Sequence, residues 1–207
     1  MEVLLSHTYF PSIAHFILLL KSEKVWFEAH DNYEKQTLRN RTYIYGANGK
    51  QALSIPVNYT QKNRQLFKDV EISNSTPWQS IHRKSIESAY KSSPFFEFYE
   101  DDLEVLFSKK PKFLLDHNIK CLETIVECLQ ICLDSEDTTI YEKEPQSSVD
   151  FRPLVQANTK LEDFESYTQV FSDKHGFLSN LSILDLLFNE GPNTVNYLKN
   201  QVSPTLL

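Results

Sequence analysis

The pattern of apolar and polar positions marks out the elements of this chain. Glu2–Leu5 is a short, largely apolar run and predicts a first strand. SHTYFPS follows as a loop rich in functional side chains, and IAHFILLLKS has helical length. VWFEA (25–29) is strand-like through its β-branched and aromatic content. This opening spans about thirty residues, the length of a parallel βαβ unit. A polar stretch, HDNYEKQTLRNR (30–41), then separates it from two further strands at Thr42–Tyr45 and QALSIPV, joined at the hairpin signal Asn48-Gly49. QKNRQL reads as a polar connection and FKDVEIS as one more strand, so the middle of the sheet is expected to be partly antiparallel.

From Thr76 the period changes to that of helices. Ser75 or Thr76 is expected to cap the first, with Pro77 in its first turn and Trp78, Ile81, Ser85, Ala89 and Tyr90 facing inward. Ser92–Pro94 breaks it. FFEFYEDDLEVLFSK and FLLDHNIKCLETIVECLQICL predict two more helices, the second being the longest element of the chain. Residues 134–164 are polar and acidic, with one further strand expected at TTIY. The chain finishes with YTQVF and a helix over LSILDLLFNEGPNTVNYLKNQ, capped by Ser179 or Ser182 and ended or interrupted at Gly191-Pro192. The fold class this predicts is α/β: a mixed β-sheet with an N-terminal βαβ unit and a largely helical second half.

Composition narrows the function. The 207 residues suit a single domain over 1–207, in which about 134–164 reads as a polar, partly mobile insertion. Apolar residues at 41% and charged residues at 24% are ordinary globular usage, which argues against a disordered chain. With only 4 Gly and neither GxGxxG nor GxxxxGK[ST], a dinucleotide or P-loop site is disfavoured, and no motif names a cofactor. A net charge of −7 gives no overall attraction for nucleic acid, although QKNRQLFK and SKKPK are small basic islands. Cys121, Cys128 and Cys132, at spacings of 7 and 4, are expected on one helix face as apolar filler. Phe16–Leu20 is too short an apolar run for a membrane span or signal peptide, and with the cysteine usage this reads as a cytoplasmic protein. The aromatic content of 13% allows a homodimer surface.

Four ordered blocks carry a resemblance to a known family: SHTYFPSIAHF; NYEKQTLRNR followed by LSIPV; WQSIHRKSIESAYKSSPFFEFYED; and YTQVFSDKHGFLSNLSILDLLFNEGP. Together they resemble the WbqC-like proteins, bacterial proteins often encoded with sugar-polymer biosynthesis genes. Where that family opens on Gln-Pro, this chain has Ser6-His7-Thr8. The resemblance implies a transferase of surface polysaccharide (O-antigen-like) synthesis, acting on an activated sugar or its acyl or aminoacyl substituent.

The candidate residues fall in loops and helix faces where ligands bind. In open α/β sheets ligands lie at the carboxyl ends of strands. His7 and Tyr9 follow the first strand, and His7 is placed there for acid/base work. His30, Asn32, Tyr33, Arg39, Asn40 and Arg41 follow the second, where a guanidinium fork suits a small-molecule or nucleotide-sugar-like anionic substrate. Arg39 and Arg41 alternate along extended chain, so only one faces the cleft; Arg39 paired with Asp31 or Glu34 on the surface is the plainer reading. Trp78 and His82 share one helix face, making His82 the first choice for a general acid or base. Asp185, set in an apolar run, needs a partner, and is expected to orient a His or to pair with Arg39 or Arg41. No spacing such as HExxH marks a metal site. A non-catalytic protein binding a glycan intermediate or pathway enzyme, and a metal-assisted hydrolase, remain the alternatives to a transferase.

Overall fold

The computed structural model describes residues 1–59, 64–161 and 163–204. Its strands are β1 (Glu2–Ser6), β2 (Lys24–Glu28), β3 (Arg41–Gly46), β4 (Gly49–Ser54), β5 (Val57–Asn58), β6 (Glu71–Ile72), β7 (Ser135–Asp137) and β8 (Val149–Asp150). Its helices are α1 (Ile13–Lys21), α2 (Trp78–Tyr90), α3 (Phe96–Ser108), α4 (Leu114–Cys128), α5 (Ser172–His175), α6 (Ile183–Glu190) and α7 (Thr194–Asn200).

The α/β class and the strand–helix–strand opening are as expected. β1 and β2 pair in parallel, with Val3 opposite Val25 and Leu5 opposite Phe27. β1 is covered on both faces, which is why it reads as a nearly unbroken apolar run. Ile13 to Leu19 of α1 are all buried, so this crossover helix lies inside the core. β7 and β8 complete one parallel sheet in the order β7-β2-β1-β8. The antiparallel pairs stand apart from it as two-stranded ribbons, β3–β4 and β5–β6.

Several local expectations are corrected. The β3–β4 turn is at Ala47 and Asn48, one residue ahead of the expected Asn48-Gly49, and Gly49 behind it takes a positive φ of 97°. FKDVEIS gives a 3₁₀ turn at Phe67–Asp69 and only two strand residues. Phe67 is fully buried, and its amide bonds to the Asp31 carbonyl, so tertiary contact overrides the local strand pattern. The connection before it lies partly outside the described residues.

Neither Ser75 nor Thr76 caps α2, where Pro77 occupies the cap position. Ile81 is 54% exposed, and His82 and Ile86 continue the inner stripe from Trp78 instead. α4 stops at Cys128 and Gln130 turns with φ +53, which leaves Cys132 exposed and off the helix face that Cys121 shares. Within 134–164 the strands are Ser135–Asp137 and Val149–Asp150, not TTIY. An edge strand exposed at every residue has no need of apolar side chains. Ser182 caps α6, its Oγ accepting from the Leu184 amide, and Gly191 ends the helix at φ +52, where a Cβ would collide with the Phe95 ring. Among the described residues no helix is long and apolar enough to cross a membrane.

Candidate functional site

Four parallel strands bring their carboxyl ends to one edge of the sheet, and the chemistry concentrates there. β1 delivers Ser6 and His7, β2 delivers Glu28 to Asp31, β7 delivers Asp137, and β8 delivers Asp150 and Arg152. The His7 ring stacks on Phe27 with centroids 4.1 Å apart, and its Nε2 lies 2.8 Å from Asp137 Oδ1. That hydrogen bond holds the Asp137 carboxyl below the usual carboxylate range. Glu28 is completely buried, yet both its oxygens are engaged. Oε1 accepts from the His30 amide at 2.8 Å and from Thr138 Oγ1 at 3.0 Å, while Oε2 faces Arg152 Nη1 at 3.3 Å. Arg152 also grips Asp150 with two bonds, of 2.9 and 2.7 Å.

Beside this satisfied network stands an incomplete one. Arg39 and Asp31 are 3% and 7% exposed and pair directly. Arg39 Nη2 also reaches Ser6 Oγ at 3.4 Å, and the guanidinium lies over the Phe67 ring at 5.4 Å. Yet Nε and Nη1 of Arg39 and Oδ1 of Asp31 are buried with no hydrogen-bond partner. Glu34 Oε2, 4.0 Å from Nη1, is too far to serve. Burial raises the Asp31 carboxyl, against the opposing pull of Arg39. Buried polar groups are almost always paired, so three orphans on one ion pair call for a reason.

Local backbone pairing explains why 30–41 is ordered. The Tyr33 amide bonds to the Gln65 carbonyl and the Phe67 amide to that of Asp31, so 31–33 runs against 65–67. Leu38 donates to the Val155 carbonyl and accepts from the Tyr9 amide. Asn118 of α4 donates to the Arg39 carbonyl at 2.7 Å. Arg39 is thereby fixed from three directions, and the salt bridge expected at the surface is buried instead.

The remaining expected residues divide. His7, His30 and Arg39 all follow the carboxyl ends of β1 and β2. Asn32 is exposed and Tyr33 is packed against Tyr59 and Phe67. Asn40 ties its amide to the Ile55 carbonyl, and Arg41, half-buried, donates to Ser54 Oγ at 3.0 Å. Tyr9, Trp78 and His82 form a separate buried cluster with His117. Tyr9 donates to His82 Nδ1 at 3.0 Å, and the His82 ring donates to the Ser54 carbonyl. Burial lowers both His82 and His117 to about 4. Trp78 meets both imidazoles edge-on, at 5.2 and 5.4 Å.

Asp185 neither orients His82 nor pairs with an arginine, which corrects the expectation made for it. Its two oxygens accept from Tyr90 at 2.9 Å, Tyr167 at 2.5 Å and Gln169 at 2.8 Å, all buried or nearly so. A carboxylate in an apolar helix needs partners, and two tyrosines and an amide supply them without a charge. Sequence reasoning missed Glu28, Asp137 and Arg152 because their partners lie 110 to 130 residues away along the chain. It also missed His117, whose signal is its i, i+4 spacing to Cys121 on the inner face of α4. Among the described residues no three His, Cys, Asp or Glu side chains group to hold a metal ion.

Comparison with known proteins fits this picture. The sequence profile of the WbqC-like protein family matches residues 7–162, which takes in β2 to β8 and, apart from Ser6, the side chains at the sheet edge. A protein of Mycobacterium tuberculosis, described as uncharacterised, is 23% identical over 218 residues, covering 92% of this chain and 94% of its own. No solved structure matches.

Proposed function

The chain belongs to the WbqC-like protein family, and from that premise we propose that it is a transferase of surface-polysaccharide biosynthesis, acting on an activated sugar or its acyl or aminoacyl substituent. The observation that carries the reading is Arg39, whose Nε and Nη1 are buried without partners at the carboxyl edge of the sheet. Nε–H and Nη1–H flank the Asp31-bound Nη2 and point apart, so either one can donate to a phosphate or carboxylate oxygen of an activated donor. His7, held by Asp137 through Nε2, presents Nδ1 as the base. In the proposed step an acceptor hydroxyl or amine gives its proton to His7 and forms a bond to the transferred carbon. The bond from that carbon to the leaving oxygen breaks, and the anion released stays on Arg39.

The test is turnover of nucleotide-sugar and acyl-donor panels by wild type, His7→Gln and Arg39→Lys. Product formation by wild type that falls at least about a hundredfold in His7→Gln supports the assignment. Equal turnover by wild type and His7→Gln removes His7 from the reaction. A second reading, a non-catalytic protein that binds a glycan intermediate, is favoured by one observation: His82 and Asp185 both spend their hydrogen bonds inside the core. Donor binding without turnover, unchanged in His7→Gln, supports that reading.

A further inference from the structure

Between the loop after β1, the β3–β4 ribbon and residues 154–161 with Asp163 lies a cavity of about 380 Å³, a volume typical of small-ligand sites. We infer that it binds a small hydroxylated oxyanion, either a sugar phosphate or a sugar acid. The inference does not rest on the transferase reading, because none of Arg39, Asp31 and His7 lines this cavity.

The chemistry of the wall is donor-rich. Thr8 lines the cavity at 2% exposed, and its hydroxyl is buried with no partner. Asn180 spends its Oδ1 on the Ala14 amide at 2.9 Å, which leaves its NH₂ to donate. Two lysines line the cavity. Lys50 stands 4.3 Å over the Tyr43 ring, and Lys160 is exposed. Neither is held by a carboxylate among the described residues. Asp163, the one carboxylate on the wall among the described residues, is left to accept from a ligand hydroxyl.

Two further features point the same way. Helices α1 and α6 both begin at this cavity, and their cap residues Ser12 and Ser182 form an antiparallel bridge. Their first amides cap each other's chain: Ile13 donates to the Leu181 carbonyl at 3.0 Å, and Ile183 to that of Pro11 at 2.9 Å. These helix starts therefore lend a ligand their positive field rather than hydrogen bonds. Phe10 and Asn180, with φ of +42° and +52°, also border the cavity. Non-glycine residues in this conformation cost energy and are held by their surroundings, often where a ligand is met.

Isothermal titration of the full chain tests the assignment, with glucose 1-phosphate, glucuronate and neutral glucose as probes. Binding of glucose 1-phosphate or glucuronate, at least about tenfold tighter than glucose, is expected, and the tighter of the two identifies the anion. The double variant Lys50→Gln/Lys160→Gln, altered only at the rim, should weaken that anion about tenfold or more, and Thr8→Val should weaken it severalfold. Arg39→Lys should leave this binding unchanged, which separates the result from failure at the sheet edge. The inference is overturned if neither anion binds at millimolar concentration, or if the lysine variant binds as wild type does. Should Thr8→Val fail to fold, the lysine variant alone decides.

Discussion

Mild acid should unfold this protein, and the buried histidines set how steeply. His15, His82 and His117 are each held at about 4, against an ordinary value of 6.5, chiefly by burial. A folded-state value below the unfolded one means that the unfolded chain binds the extra proton. The stability this represents is therefore full above pH 6.5 and is lost as pH falls towards 4. Between pH 7 and pH 5 each histidine costs about 2 kcal/mol, so the three together cost about 5 to 6 kcal/mol. Asp31 and Asp185 work in the opposite direction, since burial raises both carboxyls and the folded state takes up their protons first. Their relief is concentrated nearer the carboxylate range, so the histidine loss dominates from pH 7 down to about 5. A loss of that size is comparable to the whole stability of a typical domain. Urea denaturation at pH 7, 6 and 5 reads it directly. His82→Gln keeps a donor and an acceptor on the side chain and should flatten the slope by about a third. Stability unchanged between pH 7 and 5, or the same slope in His82→Gln, would refute the reasoning.

Other consequences follow from the same contacts. Arg39→Leu leaves the Asp31 carboxyl buried beside apolar groups and should cost about 3–5 kcal/mol, while the double variant Asp31→Asn/Arg39→Gln costs less than the single, a coupling that urea denaturation measures. Asp185→Ala removes the acceptor of the Tyr90 and Tyr167 hydroxyls, and one of the acceptors of the Gln169 amide, and should cost about 3 kcal/mol or more by the same assay. In the native state a thiol reagent should modify exposed Cys132 rapidly, with Cys128, pushed up to about 12, slower and buried Cys121 reacting only on unfolding; rapid native reaction of Cys121 would contradict its burial.

What could be read from the sequence followed what the fold demanded locally. β1, α1 and β2 declare themselves because parallel strands and a core helix must be apolar on nearly all sides. β7 carries Ser-Glu-Asp and is silent, because an exposed edge strand draws its pairing from backbone alone. Alternation separated Arg39 from Arg41, but nothing local announced that Arg39 would be buried on Asp31. The apolar setting of Asp185 correctly demanded a partner, while the identity of that partner depended on a loop at 167–169 and a helix end at Tyr90. His82 shows the limit most plainly. Its position beside Trp78 was visible, but the Tyr9 hydroxyl and Ser54 carbonyl that occupy its ring come from distant segments.

The claim that matters most is that Arg39 holds two unpartnered guanidinium nitrogens, Nε and Nη1, for a ligand. NMR of protein labelled with ¹⁵N at arginine Nε tests it, following the Arg39 Nε–H signal as a nucleotide sugar is added. The account predicts that this signal shifts in proportion to saturation and exchanges more slowly with water at the end of the titration. A donor that binds while the Arg39 signal stays in place would contradict it.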